Sequence, residues 1–542
     1  MVKRTFVVCL GLILTGGVLA APLHAAVFDV KTFGAVGDGK TVDTAAINKA
    51  IDAAHASGGG TVEFSPGTYR SFSIHLQSNI TLYLEQGATI LAADTPAEGG
   101  GDYDPPETNR WDKYQDFGHS HWHNSLIWGE DLENVSIIGP GLIDGKGLSR
   151  GSSARNRAAT NAPPAEAHRD GDRPQYPNPR DTLEAGIGNK SIALKNCHNV
   201  LLRDFSILRG GHFAILATGV DNFTLDNLKI DTNRDGMDID CCRNVRISNC
   251  SVNSPWDDAI CPKSSYALGY LRPTENLTIV NCFVTGGYEQ GTLLDGTYKR
   301  FTGTETNRIG HTGRIKCGTE SNGGFKNITI ANCVFDYCGG LALESVDGAI
   351  MEDVTIDNIA MRDIVNSPIF IRLGNRARGP DNPPVGVIRR INISNIVCSN
   401  SDWRLGSVIS GIPGHPIEDL HISNVHFVYQ GGGVKTNATI DPPERERLYP
   451  DPGMFGTMPS YGFFIRHVKG LEMDHVDVSY VKDEMRPPIA LNDVVGADFD
   501  HVKARRTTDV PFFVLHNVSD FTLHNCPGLT DTNRVTIEHE SF

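Results

Sequence analysis

The chain has 542 residues, of which 39% are apolar and 21% are charged, and it contains 57 glycines. This composition is typical of a folded protein rich in turns and excludes a disordered chain. The formal net charge of −15 argues against a general nucleic-acid binder. An anionic substrate would therefore have to meet a local basic patch.

The N-terminal residues have the pattern of a secretory signal. Lys3 and Arg4 precede an apolar run that extends to about Ala20, and small residues follow up to Ala25 and Ala26. This pattern predicts a signal peptide over residues 1–26 and export of residues 27–542, a single domain, so that the protein is secreted or periplasmic. No later stretch has the roughly eighteen apolar residues of a membrane helix, so no membrane span is predicted.

A short helix is predicted next, in "TVDTAAINKAIDAAHASGGG". Ile47, Ile51 and Ala54 would share one face, with Asp43 as the N-cap and Gly58 as the stop signal. Such a helix would cap the open apolar end of the fold that follows.

Two polar insertions follow the helix, near residues 95–125 and 145–187. The second is rich in arginine, proline, glycine and alanine. Both are predicted to be loops that project from the side of the fold and could wall a cleft.

The first insertion contains His119, His121 and His123 in "GHSHWHNS". In a strand these alternating histidines would share one face and could ligate a transition metal. No partner carboxylate or cysteine is evident from the sequence. A sugar contact or a surface role for Trp122 and its neighbours is therefore preferred, and no metal is predicted.

A short apolar unit recurs along most of the chain. "NVLLRD" at 199, "NFTLDN" at 222 and "NVRISN" at 244 begin 23 and 22 residues apart, and similar phrases continue to 520. A unit this short must stack on its neighbours to bury its apolar face. The spacing predicts an all-β fold, a parallel β-helix with rungs of about 22–26 residues.

Two residue types recur at fixed places in this unit. Asparagine ends the unit at positions such as 249, 281 and 332, where a turn residue tolerant of left-handed backbone is needed. Cysteines share the next position, at 250, 282, 333 and 526. We interpret them as small buried core residues rather than as disulfides.

Acidic residues fall at one offset of this repeat. Asp235 and Asp257 each lie 13 residues after a repeat start, Asp258 follows directly, and His212 and Glu289 have the same offset in the flanking units. Equivalent side chains of neighbouring rungs project side by side, about 4.8 Å apart. Carboxylates packed so closely raise one another's pKa, so that one can act as an acid and another as a base. Taken singly, each could instead be a solvated turn residue or a calcium ligand.

Two cations supply the basic patch. Arg314 and Lys316 in "TGRIKCGTESNGGF" are two residues apart, hence on one face of a strand. Cations near paired acids suit a carboxylated sugar. Asp238, the last acid of "NRDGMD", is interpreted as a support for its turn.

Three ordered motifs resemble glycoside hydrolase family 28, the polygalacturonase and rhamnogalacturonan hydrolase family. "NRDG" at 233–236 is similar to the family's Asn-Thr-Asp-Gly motif, Asp257 and Asp258 to its Asp-Asp motif, and Arg314 to Lys316 to its Arg-Ile-Lys motif. The N-terminal "FGAVGDGKTVDTAAINKAI" also resembles pectin-active β-helix proteins. The resemblance implies a right-handed parallel β-helix.

The resemblance also implies roles for these residues. Asp257 would protonate the leaving oxygen, Asp235 and Asp258 would activate water, and Arg314 and Lys316 would bind a uronate or stabilise charge. The family inverts anomeric configuration and needs no cofactor or metal, although carboxylates only about 5 Å apart would by themselves suggest retention.

The sequence departs from the family at one rung. A Gly-His-Gly motif is expected one rung beyond the Asp pair, where "GGYEQGTLLDGTYKR" puts Tyr288 or Glu289 about where the histidine would be. Arg234 replaces a threonine beside Asn233. Asn233, Tyr288 and Glu289 are therefore predicted to bind a substrate that differs from ordinary polygalacturonan, with exo action on a pectic side chain as one possibility. His212, one rung before Asp235, is predicted to line the same face, either as a substrate contact or as a structural residue.

We predict a monomeric, exported hydrolase of pectic polysaccharide that binds neither nucleic acid nor membrane. Two alternatives stay open at this stage. A β-helix polysaccharide lyase or epimerase would need a base for the C5 proton, usually with calcium. A carbohydrate-binding β-helix without activity would keep the fold and lose the chemistry.

Overall fold

The computed structural model describes residues 1, 26–94, 102–115, 118–149, 186–301 and 311–542, and of Glu289 it describes the backbone alone. The predicted signal segment lies almost wholly outside these ranges, as do parts of both predicted insertions. Among the described residues, no helix has the length and apolarity needed to cross a membrane.

Short strands dominate the described chain, and 36 of them are linked by hydrogen bonds. Their bounds are β1 (Val27–Asp29), β2 (Asp38–Val42), β3 (Gly60–Phe64), β4 (Gly67–Ser71), β5 (Ile74–His75), β6 (Ile80–Leu84), β7 (Ala88–Ala92), β8 (Ile127–Glu130), β9 (Glu133–Ile138), β10 (Leu142–Asp144), β11 (Lys190–Lys195), β12 (His198–Arg203), β13 (Ser206–Leu208), β14 (Phe213–Thr218), β15 (Asp221–Asp226), β16 (Lys229–Asp231), β17 (Asp235–Asp240), β18 (Arg243–Ser248) and β19 (Ser251–Asn253). They continue as β20 (Ile260–Lys263), β21 (Thr274–Val280), β22 (Phe283–Thr285), β23 (Tyr288–Gln290), β24 (Lys299–Arg300), β25 (Ile315–Cys317), β26 (Phe325–Ala331), β27 (Val334–Asp336), β28 (Leu341–Ser345), β29 (Ile350–Arg362), β30 (Ile369–Leu373), β31 (Val387–Ser401), β32 (Ser407–Ser410), β33 (Ile417–Gly431), β34 (Phe463–Lys482), β35 (Ile489–Asp500), β36 (Lys503–Ala504), β37 (Phe513–His524) and β38 (Thr532–Ser541).

The strands stack in three parallel columns around one core. The column that matters for function, here named the front sheet, runs in the order β5, β8, β11, β14, β17, β20, β25, β28, β30, β32 and β34. Each rung passes once through every column before the next begins. This is the right-handed parallel β-helix that the repeat and the family resemblance predict.

Alternation within each repeat builds the core. Val245 pairs in register with Leu277, Leu277 with Ile328, and Ile328 with Val354, and all four are buried. Identical positions of successive rungs therefore present aliphatic side chains to one another. The apolar positions that the repeat predicts are therefore confirmed as core positions.

Asparagine residues make the turns between columns. Asn249, Asn281 and Asn332 have φ near +57°, +57° and +56°, in the left-handed region where asparagine is tolerated. The Asn281 side-chain amide donates to the Asn249 side-chain oxygen at 3.2 Å, and Asn358 donates to Asn332 at 2.7 Å. These bonds run along the axis and link rung to rung.

The predicted helix caps the first rungs. Helix α1 (Thr44–Ala56) buries Ile47, Ile51 and Ala54. Asp43 precedes it, but its carboxylate accepts the backbone N–H groups of Val36 and Gly37 at 2.7 and 3.0 Å rather than an N–H of the helix. The described chain also has short 3₁₀ helices, at Val30–Phe33, Asp112–Tyr114, Lys435–Thr439 and Pro452–Phe455.

The eleven described cysteines are buried and free, which confirms that they are core residues. We expect the thermal unfolding midpoint to be the same with and without a reducing agent. A disulfide typically contributes about 2–4 kcal/mol, so a midpoint that falls on reduction would reveal one. Differential scanning calorimetry of the purified protein in both conditions makes the comparison.

Candidate active site

Asp235, Asp257 and Asp258 meet at the front sheet. Asp235 is the first residue of β17, and the Asp pair immediately precedes the entry into β20. One carboxylate oxygen from each lies within 4.8 Å of the others. The three acids predicted from the repeat are therefore together.

The rung register differs from the predicted offset by one residue. Met237 pairs with Ile260, and the Gly236 N–H donates to the Asp258 carbonyl at 3.0 Å, so Asp258 and not Asp257 is the register partner of Asp235. The preceding strands pair with an offset of 22 residues and these with 23. The connection that enters β20 is one residue longer, and that residue displaces Asp257 from the register.

Asp258 is held by the two predicted cations. Arg314 Nε donates to Asp258 Oδ1 at 2.7 Å, Lys316 Nζ contacts Oδ2, and all three side chains are buried. Burial opposes ionisation of Asp258, but Lys316 and Arg314 outweigh it and lower the pKa of this carboxyl. Both cations are thus paired with an acid of the protein and are not available to a substrate carboxylate.

Asp257 has a cation of its own. Arg234, the residue that replaces the family's threonine, donates from Nη2 to Asp257 Oδ2 at 2.6 Å, and it is itself buried. The Asp257 side chain retains 12% exposure, against 1% for Asp258. Asp257 is therefore the more accessible of the two paired carboxylates.

Asp235 is in a different environment. It is buried, and its Oδ1 has no hydrogen-bond partner among the described residues. Burial and the neighbouring Asp257 and Asp238 raise the pKa of Asp235 well above its ordinary value, against the opposing effect of Lys263 and Arg234. The pKa values of Asp235 and Asp258 are therefore shifted in opposite directions.

Asp238 does more than support a turn. Its buried carboxylate lies 2.9 Å from His119 Nε2 and 4.0 Å from Lys263 Nζ, and Lys263 in turn contacts Glu320 at 3.2 Å. His119 reaches Asp238 from the first insertion. The insertion thereby contributes a side chain to the surroundings of Asp235.

The three histidines of the first insertion have separate partners. His119 binds Asp238, whereas His121 contacts Asp112 at 3.1 Å and His123 contacts Glu130 at 2.8 Å. The segment is not a strand, so the three side chains diverge to three different carboxylates. The surface role for Trp122 is also wrong. Its side chain is fully buried, and its Nε1 donates to Thr218 Oγ1 at 3.0 Å.

His212 lies one residue before the register partner of Asp235. Phe213, not His212, is the register partner of Asp235. The His212 side chain is buried against the Phe213 ring, with centroids 4.5 Å apart. Asn233 lies half-buried in the connection before β17, where its carbonyl accepts the Trp256 N–H at 3.0 Å.

Tyr288 and Glu289 are not on the next rung of the front sheet. They belong to β23, which pairs antiparallel with β24 in a separate hairpin. The Tyr288 ring packs on Tyr298 at 4.2 Å, and the side chain of Glu289 lies outside the described atoms. Their placement beyond the Asp pair is therefore wrong, because the hairpin is an insertion between two rungs.

A histidine does lie at the next rung. Ile260 of β20 pairs with Ile315 of β25, and His311 shortly precedes β25. Its ring is buried against Trp256, the residue before Asp257, with centroids 4.6 Å apart. The signal missed in the sequence is "GHTGRIK", in which the histidine stands directly before the Arg-Lys pair.

Glu344 is a second residue that the sequence did not reveal. It lies on β28, behind Arg314 and Lys316, fully buried, with Oε2 accepting a hydrogen bond from Thr319 Oγ1 at 3.2 Å and Oε1 unpartnered among the described residues. Burial raises the pKa of Glu344 to about 7, although Lys316 and Arg314 oppose the shift. In the sequence, no periodic pattern distinguishes the position of Glu344 from a core position of the strand.

This shift predicts a pH dependence of stability. The folded protein binds the Glu344 proton more tightly than the unfolded chain, so the free energy of unfolding should fall as pH rises from about 4.5 to about 7, by an amount on the order of 3 kcal/mol. Glu344→Gln should abolish the part of this decrease in the free energy of unfolding that Glu344 causes. Chemical denaturation of both proteins across this range measures it, and parallel curves for the two would contradict the prediction.

The acids are unlike a typical divalent-metal site. Asp235, Asp257 and Asp258 are close enough to share an ion, but Arg234 and the Arg314–Lys316 pair already supply positive charge to two of them. Three cations among three carboxylates suit proton transfer better than a site for a further cation.

Two segments bound the front sheet on either side of the acids. Before them, Asn109 donates to the Ala267 carbonyl at 3.0 Å and His119 contacts Asp238. After them, residues 432–462, here named the strap, cross back over the sheet. Tyr449 of the strap contacts Lys316 at 3.3 Å, and Asp451 lies 3.8 Å from Arg314.

The strap is anchored farther along by buried arginines. Arg466 of β34 donates to the carbonyls of Pro442 and Pro443 at 2.7 and 2.9 Å, and Arg372 of β30 donates to the Glu444 carbonyl at 2.7 Å. In the described chain, two separate segments thus contact the front sheet near the acids.

Comparison with known families gives two overlapping matches. Residues 27–120 match the family described as rhamnogalacturonase A/epimerase, pectate lyase-like, and residues 112–289 match glycosyl hydrolases family 28. The second match contains Asp235, Asp257 and Asp258. It ends before His311, Arg314 and Lys316, at the hairpin insertion.

Individual relatives agree with these matches. An exo-poly-alpha-D-galacturonosidase of Dickeya chrysanthemi is 26% identical over 296 residues, 50% of this chain and 48% of the relative, so the match spans about half of that protein. A probable polygalacturonase of Vitis vinifera is 24% identical over 412 residues, 72% of each chain.

The fold of a solved structure is similar as well. A hyperthermoactive exopolygalacturonase from Thermotoga maritima superimposes with a TM-score of 0.57 at 19% identity, covering 74% of this chain and 87% of that one. This likeness shows the fold, and the segment that contains the three acids is similar to glycosyl hydrolases family 28.

Proposed function

We propose that this protein is an exported glycoside hydrolase that degrades pectic polysaccharide by releasing galacturonic acid from chain ends. The observation that carries the proposal is the group of three carboxylates within 4.8 Å, in the segment that matches the hydrolase family. Acids of unequal protonation in one cleft are what hydrolysis of a glycosidic bond requires.

The proposed reaction is a single displacement with inversion. A protonated carboxyl gives its proton to the glycosidic oxygen while the bond from this oxygen to the anomeric carbon breaks. A water molecule attacks that carbon from the opposite face, and a carboxylate accepts the proton of the water. The family resemblance gives the donor role to Asp257 and the acceptor role to Asp235 and Asp258.

Exo action is supported by the two covered stretches of the front sheet. The segment with Asn109 and His119 lies over one side of the acids and the strap lies over the other. An endo-acting enzyme must admit a long polymer on both sides of the scissile bond. Segments that contact the sheet on both sides of the acids would favour binding of a chain end.

The charge around the site supports an acidic substrate. Arg234, Arg314 and Lys316 concentrate positive charge in a protein whose net charge is −15. We propose that they favour a uronate electrostatically, although each is already paired with a carboxylate of the protein. Export follows from the N-terminal signal pattern and is part of the proposal.

These contacts do not support the alternative function, that of a lyase or epimerase. It would need a base near the C5 proton, and its strongest candidates were Arg314 and Lys316. The buried carboxylate of Asp258 raises the pKa of both cations far above their ordinary values, against the effect of burial, so neither is a ready proton acceptor.

Product analysis tests the proposal. The purified protein is incubated with polygalacturonan, rhamnogalacturonan and short galacturonide oligomers, and the products are separated by chromatography. We expect saturated galacturonic acid as the first product. A ladder of oligomers would contradict exo action, and a product absorbing as an unsaturated uronate would contradict hydrolysis.

A further inference from the structure

We propose that the surface of this protein has a binding site for a divalent transition-metal cation of the zinc class, built from His475 and His501 on neighbouring rungs. Both histidines lie in turns that join the two columns other than the front sheet, away from the three acids. The inference goes beyond the proposed function and does not depend on it. A metal ion there would link two rungs and take no part in hydrolysis.

The first observation is an interruption in the row of asparagine turns. His475 occupies the register position that follows Asn424, and the next rung has His501. Both histidines have left-handed backbone, with φ of +51° and +52°, as the asparagines do. The triplet Asp-His-Val occurs at both rungs, at 474–476 and at 500–502. Two imidazoles thus replace the amides that elsewhere pass a hydrogen bond from rung to rung.

The second observation is the close approach of the two imidazole rings. Their centroids are 4.5 Å apart, and their planes differ by 7°. One ring nitrogen of each histidine and a carboxylate oxygen of Asp474 lie within 4.8 Å of one another. Tetrahedral zinc holds nitrogen ligands at about 2.0–2.1 Å, which requires two of them to lie about 3.4 Å apart. The side chains of His475 and His501 are 59% and 48% exposed, so their rings have room to tilt toward each other.

The third observation is a carboxylate beside each ring. His475 Nδ1 lies 2.6 Å from Asp474 Oδ1, and the Nδ1 of His501 lies 3.0 Å from Asp500 Oδ1. Metal-binding histidines usually donate one ring N–H to a carboxylate, which fixes the other nitrogen as the ligand. Asp474 and Asp500 are register partners, so both Nδ1 atoms point to one column of carboxylates and both Nε2 atoms point away from it.

The ligand atoms determine the class of metal. Imidazole nitrogens suit zinc, copper and nickel, whereas calcium and magnesium select oxygen ligands. In the described chain neither Nε2 atom has a hydrogen-bond partner, so both are available to a metal. The two nitrogens come from β34 and from the turn after β35, so a bound ion would link these rungs and stabilise the folded chain by mass action.

Another histidine pair provides a matched comparison. His516 and His539 face each other across β37 and β38, and their Nδ1 atoms are 3.1 Å apart, within hydrogen-bond distance of each other. Among the described residues, neither ring has a carboxylate at ion-pair distance. This pair therefore lacks the carboxylates that orient His475 and His501, and we expect it not to bind zinc.

Zinc titration tests the proposal. The purified protein without a histidine tag is treated with EDTA, dialysed and titrated with ZnCl₂ by isothermal titration calorimetry, and CaCl₂ is titrated for comparison. We expect zinc binding that Asp500→Asn weakens about 10- to 100-fold, as is typical of a lost outer-shell carboxylate, and that His475→Asn and His501→Asn weaken further. His539→Asn should leave the zinc affinity within about twofold of the unmodified protein.

The histidine variants should fold normally, because asparagine is the usual residue at this turn. Without metal their thermal unfolding midpoints should match that of the unmodified protein, and ZnCl₂ should raise the midpoint of the unmodified protein but not that of His475→Asn. Unchanged zinc affinity in His475→Asn, a loss in His539→Asn instead, or calcium binding of equal strength would overturn the proposal. The test uses no sugar substrate, so failure of the proposed function would leave it intact.

Discussion

Asp257→Asn is expected to lower kcat for galacturonic acid release by about 10³-fold, within the range of 10² to 10⁴ typical of a lost acid or base. The loss follows whether Asp257 gives or accepts the proton, since an amide can do neither. The Asp257 side chain is 12% exposed and has Arg234 as its partner. Product release is measured at saturating substrate, with circular dichroism to verify the fold.

A matched control is available in the same fold. Asp221 also pairs with an arginine, Arg272, but on the neighbouring column of strands and apart from the three acids. Asp221→Asn should remove an ion pair of similar kind and leave kcat within about twofold of the unmodified enzyme, as expected for a site that does not contact substrate. An equal loss in both variants would mean that Asp257 acts through stability rather than through chemistry.

The repeat was sufficient to predict the fold. Asparagine turns and alternating aliphatic residues recur because every rung must turn and bury its apolar face in the same way. Val245 and Leu277 show this in adjacent rungs. The same argument placed the three acids near one another. Interactions that depend on periodicity alone could therefore be predicted.

Predictions failed where the chain leaves the repeat. One extra residue before β20 shifts the register, so Asp258 rather than Asp257 aligns with Asp235. The β23–β24 hairpin carries Tyr288 away from the front sheet, and His311 takes the place beyond the Asp pair. An offset counted along the sequence cannot distinguish an inserted hairpin from a rung.

Contacts between distant segments were also beyond sequence reasoning. The strap contacts Lys316 through Tyr449, 133 residues later in the chain. Similarly, the sequence indicated that Arg314 and Lys316 are important, but it did not reveal that their partner is Asp258. The pairing of buried charges depends on which groups the folded chain brings within about 3 Å of one another, and this distance cannot be read from the sequence.

Lys316→Met is expected to destabilise the protein by about 3–5 kcal/mol and to abolish most activity. The substitution removes one of the two cations that hold the buried Asp258 carboxylate, and breaking a buried ion pair by removing one partner carries a cost of this size. Activity should fall as well, because Asp258 would bind a proton more readily beside Asp257. Urea denaturation gives the free energy of unfolding, and product release gives kcat.

A second substitution separates these effects. Asp258→Asn combined with Lys316→Met removes both charges of this pair and leaves Arg314 near Asp451 at 3.8 Å, so it should recover part of the lost stability without recovering activity. Lys503→Met is the control, since its pair with Asp477 is 61% exposed on the lysine side and contributes at most about 1 kcal/mol. If the double variant were no more stable than Lys316→Met, the lysine would stabilise the fold through packing rather than through the Asp258 carboxylate.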